Sequence, residues 1–171
     1  MEQAITVRYR PTLRDALDLH AYHRRMTQRL ALRIGLYALS ILLSLLGVYS
    51  LLRGVGNATA TLLMIGGLYY PVLRPLERRW QIERAFAKNP DKDLEIEWQI
   101  SDQSMTINNS KWKSELTWPA IAKAVRAPSG LLLYVSDCPY WLPRRGFSTD
   151  GAFEELTELM RAKISDFNYL A

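Results

Sequence analysis

Two long apolar stretches dominate the hydrophobicity pattern of the chain. They cover residues 34–52 and 54–73 and are separated by one charged residue, Arg53. Each has about the 20 residues that a helix needs to cross the hydrocarbon core of a bilayer. A soluble protein can bury one such helix, but a chain of 171 residues has too little remaining mass to cover two. The pattern therefore predicts a transmembrane helical hairpin over residues 34–73.

The arginines around this hairpin are distributed unequally. The short connection contains only Arg53, whereas the outer flanks carry Arg24, Arg25, Arg29, Arg33, Arg74, Arg78, Arg79 and Arg84. Because Lys and Arg beside a span stay on the cytoplasmic side, both termini are predicted to be cytoplasmic. The same side chains are expected to contact anionic lipid headgroups, which explains much of the net charge of +5 without nucleic acid.

Small residues within the two stretches indicate how the predicted helices pack. Gly, Ala and Ser let two helix backbones approach closely, and the candidates for this contact are Ser40, Ser44, Gly47, Gly66 and Gly67. Apart from Arg53 in the connection, neither stretch contains an ionisable side chain other than tyrosine. Proton and ion paths through a bilayer normally use Asp, Glu, Lys, Arg or His. Transport is therefore disfavoured.

Regions on both sides of the hairpin are predicted to be structured. Residues 1–33 combine an alternating strand pattern that stops at Pro11 with an amphipathic helix, whose start is marked by Thr12 and Asp15. Residues 74–90 read as a charged juxtamembrane helix that ends at Asn89 and Pro90.

Residues 91–171 are predicted to form a cytoplasmic domain. Residues 94–100 alternate strictly between apolar and polar, and further short runs separated by turn formers follow at 104–108, 114–118, 121–126, 131–136 and 140–142. The closing segment places four apolar side chains on one helical face: Phe153, Leu156, Met160 and Ile164. The predicted class is an α+β membrane protein, with a small curved antiparallel sheet capped by a C-terminal helix, the plan of a pleckstrin-homology-like (PH-like) domain.

The residues offer little for catalysis or cofactor binding. His20 and His23 near Asp15 and Asp18 are the one grouping that suggests a metal, but zinc requires further ligands, and we predict no metal. Cys138 is alone, so no intrachain disulfide is possible. The chain has no phosphate-binding glycine loop and no dinucleotide fingerprint, so no catalytic residue and no cofactor are expected.

Two loops are candidates for binding a protein partner. One contains Trp141, Arg144 and Arg145, and the other contains Lys111, Trp112 and Lys113. Aromatic and arginine side chains at the rim of a surface are favoured in interfaces, so we expect Trp141 to lie at such a rim. The alternative for the second loop is that Trp112 is partly buried and its lysines are simply solvated.

Several short motifs resemble those of the YcxB-like family of bacterial membrane proteins. They are Trp118-Pro119-Ala120-Ile121, Leu132-Leu133-Tyr134 and Leu142-Pro143-Arg144-Arg145-Gly146-Phe147. Leu142 stands where that family more often has Ile, and the layout is similar along nearly the whole chain. The resemblance implies a bacterial inner-membrane protein with a transmembrane hairpin and a cytoplasmic PH-like domain, and it implies no catalytic motif.

Two functions fit these observations. The first is a non-catalytic, membrane-anchored binding or regulatory protein that engages a protein partner through its cytoplasmic domain. The second is an immunity protein that neutralises a toxin acting on the membrane or in the cytoplasm. No nucleic acid is expected as a partner, and no particular oligomeric state is indicated.

Overall fold

The computed structural model describes residues 4–28, 30–54, 56–136 and 138–170. The chain divides into two compact units, which we call the sheet unit (residues 1–23 and 86–171) and the helical unit (residues 24–85). The secondary structure elements in chain order are β1 (Ile5–Tyr9), α1 (Leu13–Thr27), α2 (Leu30–Leu52), α3 (Asn57–Leu68), a π-helical turn (Tyr69–Leu73), α4 (Arg74–Lys88), β2 (Ile96–Ile100), β3 (Ser104–Asn108), β4 (Lys113–Thr117), β5 (Ile121–Ala127), β6 (Gly130–Val135), β7 (Cys138–Pro143), α5 (Asp150–Lys163) and β8 (Phe167–Tyr169).

The sheet unit contains two four-stranded sheets. The first has the order β1-β2-β3-β4 and is antiparallel throughout. The second has the order β7-β6-β5-β8, in which the short β8 runs parallel to β5. The predicted α+β class with antiparallel sheets is confirmed, and the strands are divided between two sheets rather than forming the single curved sheet that the sequence suggested.

The N-terminal strand belongs to the first of these sheets. β1 pairs with β2 over its full length, from Ile5 opposite Ile100 to Tyr9 opposite Ile96. The sequence predicts residues 1–33 as a segment of their own, whereas residues 4–23 lie in the same compact unit as the C-terminal region. No local pattern announces this pairing, because its two strands are separated by the whole helical unit.

The C-terminal helix closes the core of the sheet unit. Its predicted apolar face is buried as expected: Phe153, Leu156 and Met160 are fully buried and Ile164 almost so. These side chains pack in one cluster with residues of both sheets, among them Val7, Trp98, Ile100, Leu131 and Leu133. Thr149 caps the helix, because its side chain accepts a hydrogen bond from the Ala152 amide at 3.1 Å. The position of α5 is thereby fixed at its start and along its length.

In the helical unit, α2 is the one helix among the described residues that is long and apolar enough to cross a membrane. Its 23 residues begin at Leu30, four residues before the predicted start, and only 11% of its most apolar window is buried. A core helix of a soluble protein would be mostly buried, so the apolar surface of α2 needs a partner that the described residues do not supply.

The second predicted span, residues 54–73, differs from the prediction. The α-helix begins at Asn57 and ends at Leu68, and a π-helical turn containing Pro71 follows before α4. Proline has no amide hydrogen and its ring clashes with the carbonyl four residues earlier, which the wider turn accommodates. As α3 has only 12 residues, the two-helix membrane hairpin is not confirmed.

α2 and α3 nevertheless pack closely as antiparallel neighbours through small residues. A methyl group placed on Gly67 would lie 2.7 Å from the Ser40 carbonyl oxygen and 2.7 Å from the Ser44 amide nitrogen. One placed on Gly47 would lie 3.1 Å from the Ala60 carbonyl oxygen. Four of the predicted packing residues, Ser40, Ser44, Gly47 and Gly67, therefore lie at the contact.

Gly66 was also predicted to pack, and this was wrong. It is exposed, and a methyl group there would make only an ordinary contact of 3.8 Å with the Leu43 side chain. Successive helical residues are rotated by about 100°, so Gly66 and Gly67 cannot both face α2.

This difference gives a matched test of the helix packing. Gly67→Ala should destabilise the full chain in detergent by about 1–3 kcal/mol, because the added methyl group overpacks the contact. Gly66→Ala should leave stability unchanged or raise it by up to about 1 kcal/mol, since alanine is the better helix former. Thermal unfolding followed by circular dichroism measures both, and equal melting temperatures for the two variants would contradict the observed packing.

Candidate partner-binding site

The segment that joins β7 to α5 carries the arginines predicted to bind a partner. Pro143 ends β7, and residues Arg144–Gly146 form a single 3-10 turn before the helix cap at Thr149. The Arg144 amide donates to the Ser129 carbonyl at 2.9 Å, which ties the turn to the loop before β6. The backbone of this segment is thus held at both ends. Its two arginine side chains point in different directions and contact different residues.

Arg145 binds the start of α1. Its guanidinium donates to the Asp15 carboxylate and, at 2.7 Å, to the Arg10 carbonyl. Asp15 is largely buried, with 12% of its side chain exposed, whereas Arg145 is 47% exposed. A buried carboxylate needs such a partner, because an unpaired charge at this depth is costly. Arg145 therefore has a structural role in joining α1 to the β7–α5 turn.

The same carboxylate caps α1. The Asp15 carboxylate accepts hydrogen bonds from the Thr12 amide at 2.8 Å and the Thr12 hydroxyl at 2.7 Å. In return, the Asp15 amide donates to the Thr12 hydroxyl oxygen at 3.3 Å. This is the reciprocal arrangement of a capping box, so the predicted helix start at Thr12 and Asp15 is confirmed. We call Thr12, Asp15 and Arg145 the clasp.

Trp141 is buried, which corrects the expectation that it lies at a surface rim. It is 6% exposed and its ring stacks on Tyr22 of α1 at 5.5 Å between centroids. Gly130 permits this position, since a methyl group there would lie 2.8 Å from the indole. The sequence shows the apolar character of Trp141 but not that α1 covers it, because the contact joins positions far apart in the chain.

Two tyrosine hydroxyls support the packing around Trp141. The Tyr9 hydroxyl donates to the Trp141 carbonyl oxygen at 2.7 Å, and the Tyr134 hydroxyl lies 3.0 Å from Nδ1 of His23. Burial raises the pKa of both hydroxyls above the ordinary tyrosine value, so they remain protonated at neutral pH. The sequence predicts no role for Tyr9, and it marks Tyr134 only as part of the Leu132-Leu133-Tyr134 motif, because tyrosine is frequent in the chain and carries no positional signal.

Arg144 differs from Arg145 in that it pairs with an exposed carboxylate. It pairs with Asp150 at 3.0 Å, its guanidinium lies 4.9 Å from the centroid of the Phe153 ring, and 41% of its side chain is exposed. The ring holds the guanidinium by a cation–π contact without covering it. Arg144 is thus positioned by its neighbours and still open to a ligand.

Two open grooves meet at the β7–α5 segment. The larger has a volume of about 850 Å³ and lies between β1 and the start of α5, and the smaller, of about 590 Å³, lies between α1 and the loop before β6. They share Arg145, Phe147, Ser148 and Thr149. Both are lined by mixed charge, with Arg8 and Glu155 in the larger and with Arg14, Asp18, Arg144 and Asp150 in the smaller. This shared wall is the candidate partner-binding site.

The second predicted loop lies elsewhere on the sheet unit. Lys111 contacts the Pro90 carbonyl at 3.3 Å and Asp91 at 3.5 Å, Lys113 starts β4, and Trp112 is 40% exposed. The structure does not bring this loop into the grooves, so the two predicted clusters are separate surfaces.

The other predicted sites are placed as follows. Arg24 and Arg25 lie in the last turn of α1, Arg33 in α2, and Arg74, Arg78 and Arg79 in α4, whereas Arg29 lies outside the described residues. Among the described residues, no group of three or more His, Cys, Asp and Glu side chains is arranged to hold a metal ion. Cys138 is an exposed free thiol.

Comparison with known families identifies the region that contains this site. Residues 100–160 match the family model of the YcxB-like proteins. The match confirms the resemblance over the segment from the end of β2 to the last turn of α5, which includes all three motifs that suggested it. The YcxB-like segment therefore contributes the β7–α5 turn, whereas its partners in the clasp, Thr12 and Asp15, lie outside the match. No curated protein and no solved structure matches the chain significantly.

The different environments of the two arginines predict different effects on stability. Arg145→Ala should cost about 1–3 kcal/mol, because it leaves the buried Asp15 carboxylate without its cation. Arg144→Ala should cost less than about 1 kcal/mol, because it removes an exposed pair with Asp150. Chemical denaturation of the two purified variants measures this difference. If Arg144→Ala proves the more damaging, the clasp is not the stabilising contact.

Proposed function

We propose that this protein is a non-catalytic, membrane-anchored binding protein of the bacterial inner membrane. The helical unit is the anchor, both termini are cytoplasmic, and the sheet unit engages a protein partner at the grooves beside the β7–α5 segment. The observation that carries the proposal is the exposed apolar surface of α2, of which only 11% is buried in its most apolar window. An apolar surface of this extent in water would aggregate, and a bilayer removes it from water.

Aromatic and arginine pairs at both ends of the packed helices support the placement in a bilayer. Arg74 lies over the Tyr70 ring at 5.1 Å near one end, where Tyr37 also contacts Tyr70, and Arg53 lies over the Tyr49 ring at 5.4 Å near the other. Tyrosine is favoured at the headgroup level on both sides of a membrane, and an arginine near the end of a span can extend its charged group to that level. With the π-helical turn included, the run from Asn57 to Leu73 is about 25 Å long, at the short end of what a hydrocarbon core of about 30 Å requires.

The chemistry of the grooves favours a macromolecular partner over a small molecule. Both are open and carry charges of both signs, whereas small-molecule sites are enclosed and mostly apolar. Arg144 supplies a fixed guanidinium, which suits a carboxylate on a protein surface. A regulatory partner and a toxin would both satisfy this chemistry, and the identity of the captured protein distinguishes a regulator from an immunity protein.

The proposed topology predicts the activity of terminal reporters. The flanking arginines should keep both ends in the cytoplasm, so a cytoplasm-dependent reporter should be active at either terminus and a periplasm-dependent reporter inactive. Fusions after Ala171 and before Met1 in intact cells measure this. Periplasmic activity at either end would overturn the topology.

The proposed binding face predicts which substitutions abolish partner capture. Affinity purification from detergent-solubilised membranes should recover a partner with the wild type, less of it with Arg144→Ala and least with Ser148→Trp. Ser148 lines both grooves, so the tryptophan ring would occupy space where a partner binds. An interface arginine of this kind is worth about 2 kcal/mol or more.

The controls for this capture carry equivalent changes away from the grooves. Arg161→Ala removes an exposed arginine of α5, and Ser165→Trp adds an indole to an exposed position after that helix. Both should recover the partner fully. Undiminished capture by folded Arg144→Ala and Ser148→Trp would move the site away from the grooves.

A further inference from the structure

The outer edges of the two sheets differ in how they are covered. β1 is bridged by Phe147, which pairs with Val7. β7 is covered at Trp141 by the Tyr22 ring and the Tyr9 hydroxyl, and β8 has only three residues. β4 pairs with β3 along all five of its residues, and among the described residues no strand or backbone hydrogen bond reaches its other side. β4 is therefore the open edge of the sheet unit.

An open edge is a template for another strand, and proteins usually block it. Common blocks are a proline, a bulge or charges that repel an incoming strand. β4 has no proline and its register with β3 is regular. It does carry two exposed charges of opposite sign, Lys113 and Glu115, which are two residues apart and so lie on one face of the strand.

We propose that β4 pairs antiparallel with β4 of a second copy of this chain. The two strands are related by a twofold axis that lies midway between the two copies of Ser114. In this register Ser114 lies opposite Ser114 of the partner subunit. Lys113 then lies opposite the partner's Glu115, and Glu115 opposite the partner's Lys113. Opposite charges directly across an antiparallel pair stabilise it. The two sheets join into one of eight strands.

The neighbouring registers of the same symmetry are unfavourable. With a twofold axis perpendicular to the sheet, residues that lie directly opposite each other are on the same face of the sheet. The axis must therefore lie midway between two copies of one residue. An axis through Glu115 places it against the partner's Glu115, and an axis through Lys113 places it against the partner's Lys113. Like charges directly opposite destabilise a strand pair. The spacing of the two charges thus selects Ser114 as the centre.

The exposed indole of Trp112 fits the same register. Its loop is held by Asn109, whose side-chain oxygen accepts from the Lys111 and Trp112 amides, both at 2.8 Å, while the Asn109 amide donates to the Trp112 carbonyl at 3.0 Å. Trp112 would lie opposite the partner's Leu116, and apolar cross-strand pairs of this type add to the stability of an edge contact. The proposed pairing therefore covers a fixed tryptophan that is 40% exposed in the single chain.

A cysteine at the symmetry axis tests the pairing directly. The test variant is the full chain with two substitutions. Cys138→Ser removes the native thiol, and Ser114→Cys places a new thiol in β4. Directly opposite residues in an antiparallel pair have Cα atoms about 4.5–5.5 Å apart, within the range of a disulfide. Oxidation by copper phenanthroline in isolated membranes should yield a covalent dimer. Gln99→Cys in the same background, an exposed position in β2 within the sheet, should not.

Charge exchange tests the register. Lys113→Glu and Glu115→Lys should each lower the yield of the Ser114→Cys dimer by about tenfold, because each replaces attraction by repulsion twice per dimer. The double variant Lys113→Glu/Glu115→Lys should restore the yield, since the pairs reform with their signs reversed. Crosslinking is suitable because a pair of five-residue strands is smaller than a stable interface of standard size.

Three results would overturn the proposal. The first is a dimer yield for Ser114→Cys no greater than that of Gln99→Cys. The second is a crosslink from Ser114→Cys to a different protein, which would assign the edge to another partner. The third is failure of the double exchange to restore a yield that the single exchanges lower, which would exclude the register centred on Ser114.

Discussion

The Asp15 carboxylate serves two parts of the sheet unit at once. It caps α1 through Thr12, and it binds the Arg145 guanidinium in the turn between β7 and α5. A buried carboxylate cannot be left without partners, so the position of α1 and the path of the β7–α5 turn are fixed together. Gly146 allows the turn to lie against β1, where a methyl group would be 3.0 Å from the Val7 side chain. The walls of both grooves therefore depend on this clasp.

The two arginines of this short motif pair with carboxylates of different burial: Arg145 with the buried Asp15 and Arg144 with the exposed Asp150. Of the two adjacent arginines, Arg145 pairs with Asp15, whereas Arg144 lies over the Phe153 ring and lines the smaller groove. Trp141, just before them, is committed to the contact with Tyr22. The motif of aromatic and basic residues thus places one arginine, Arg144, beside an exposed carboxylate, whereas Arg145 and Trp141 contact groups that are largely buried or belong to α1.

The helical unit follows a different physical rule from the sheet unit. Its helices approach through Gly47 and Gly67, where there is no room for a side chain, while large apolar residues point away from the contact. Small residues give two helices close van der Waals contact even where the surroundings are apolar. The sheet unit instead buries its large side chains around Trp98 and Phe153. One chain therefore combines a unit with its apolar side chains inside and a unit with many of them outside.

Local patterns in the sequence determined the elements that depend on near neighbours. Alternation identified β2, the capping residues located the start of α1, and the apolar spacing of Phe153, Leu156, Met160 and Ile164 gave the buried face of α5. Only the tertiary structure decided what depends on distant pairs. The pairing of β1 with β2, the burial of Trp141 under α1 and the ion pair of Arg145 with Asp15 each join groups that local periodicity does not relate. Helical periodicity excludes that Gly66 and Gly67 both face α2, but only the tertiary structure decides that Gly67 does. The physical reason is that hydrophobic pattern fixes which face is buried, whereas the partner that buries it is chosen by packing of the whole chain.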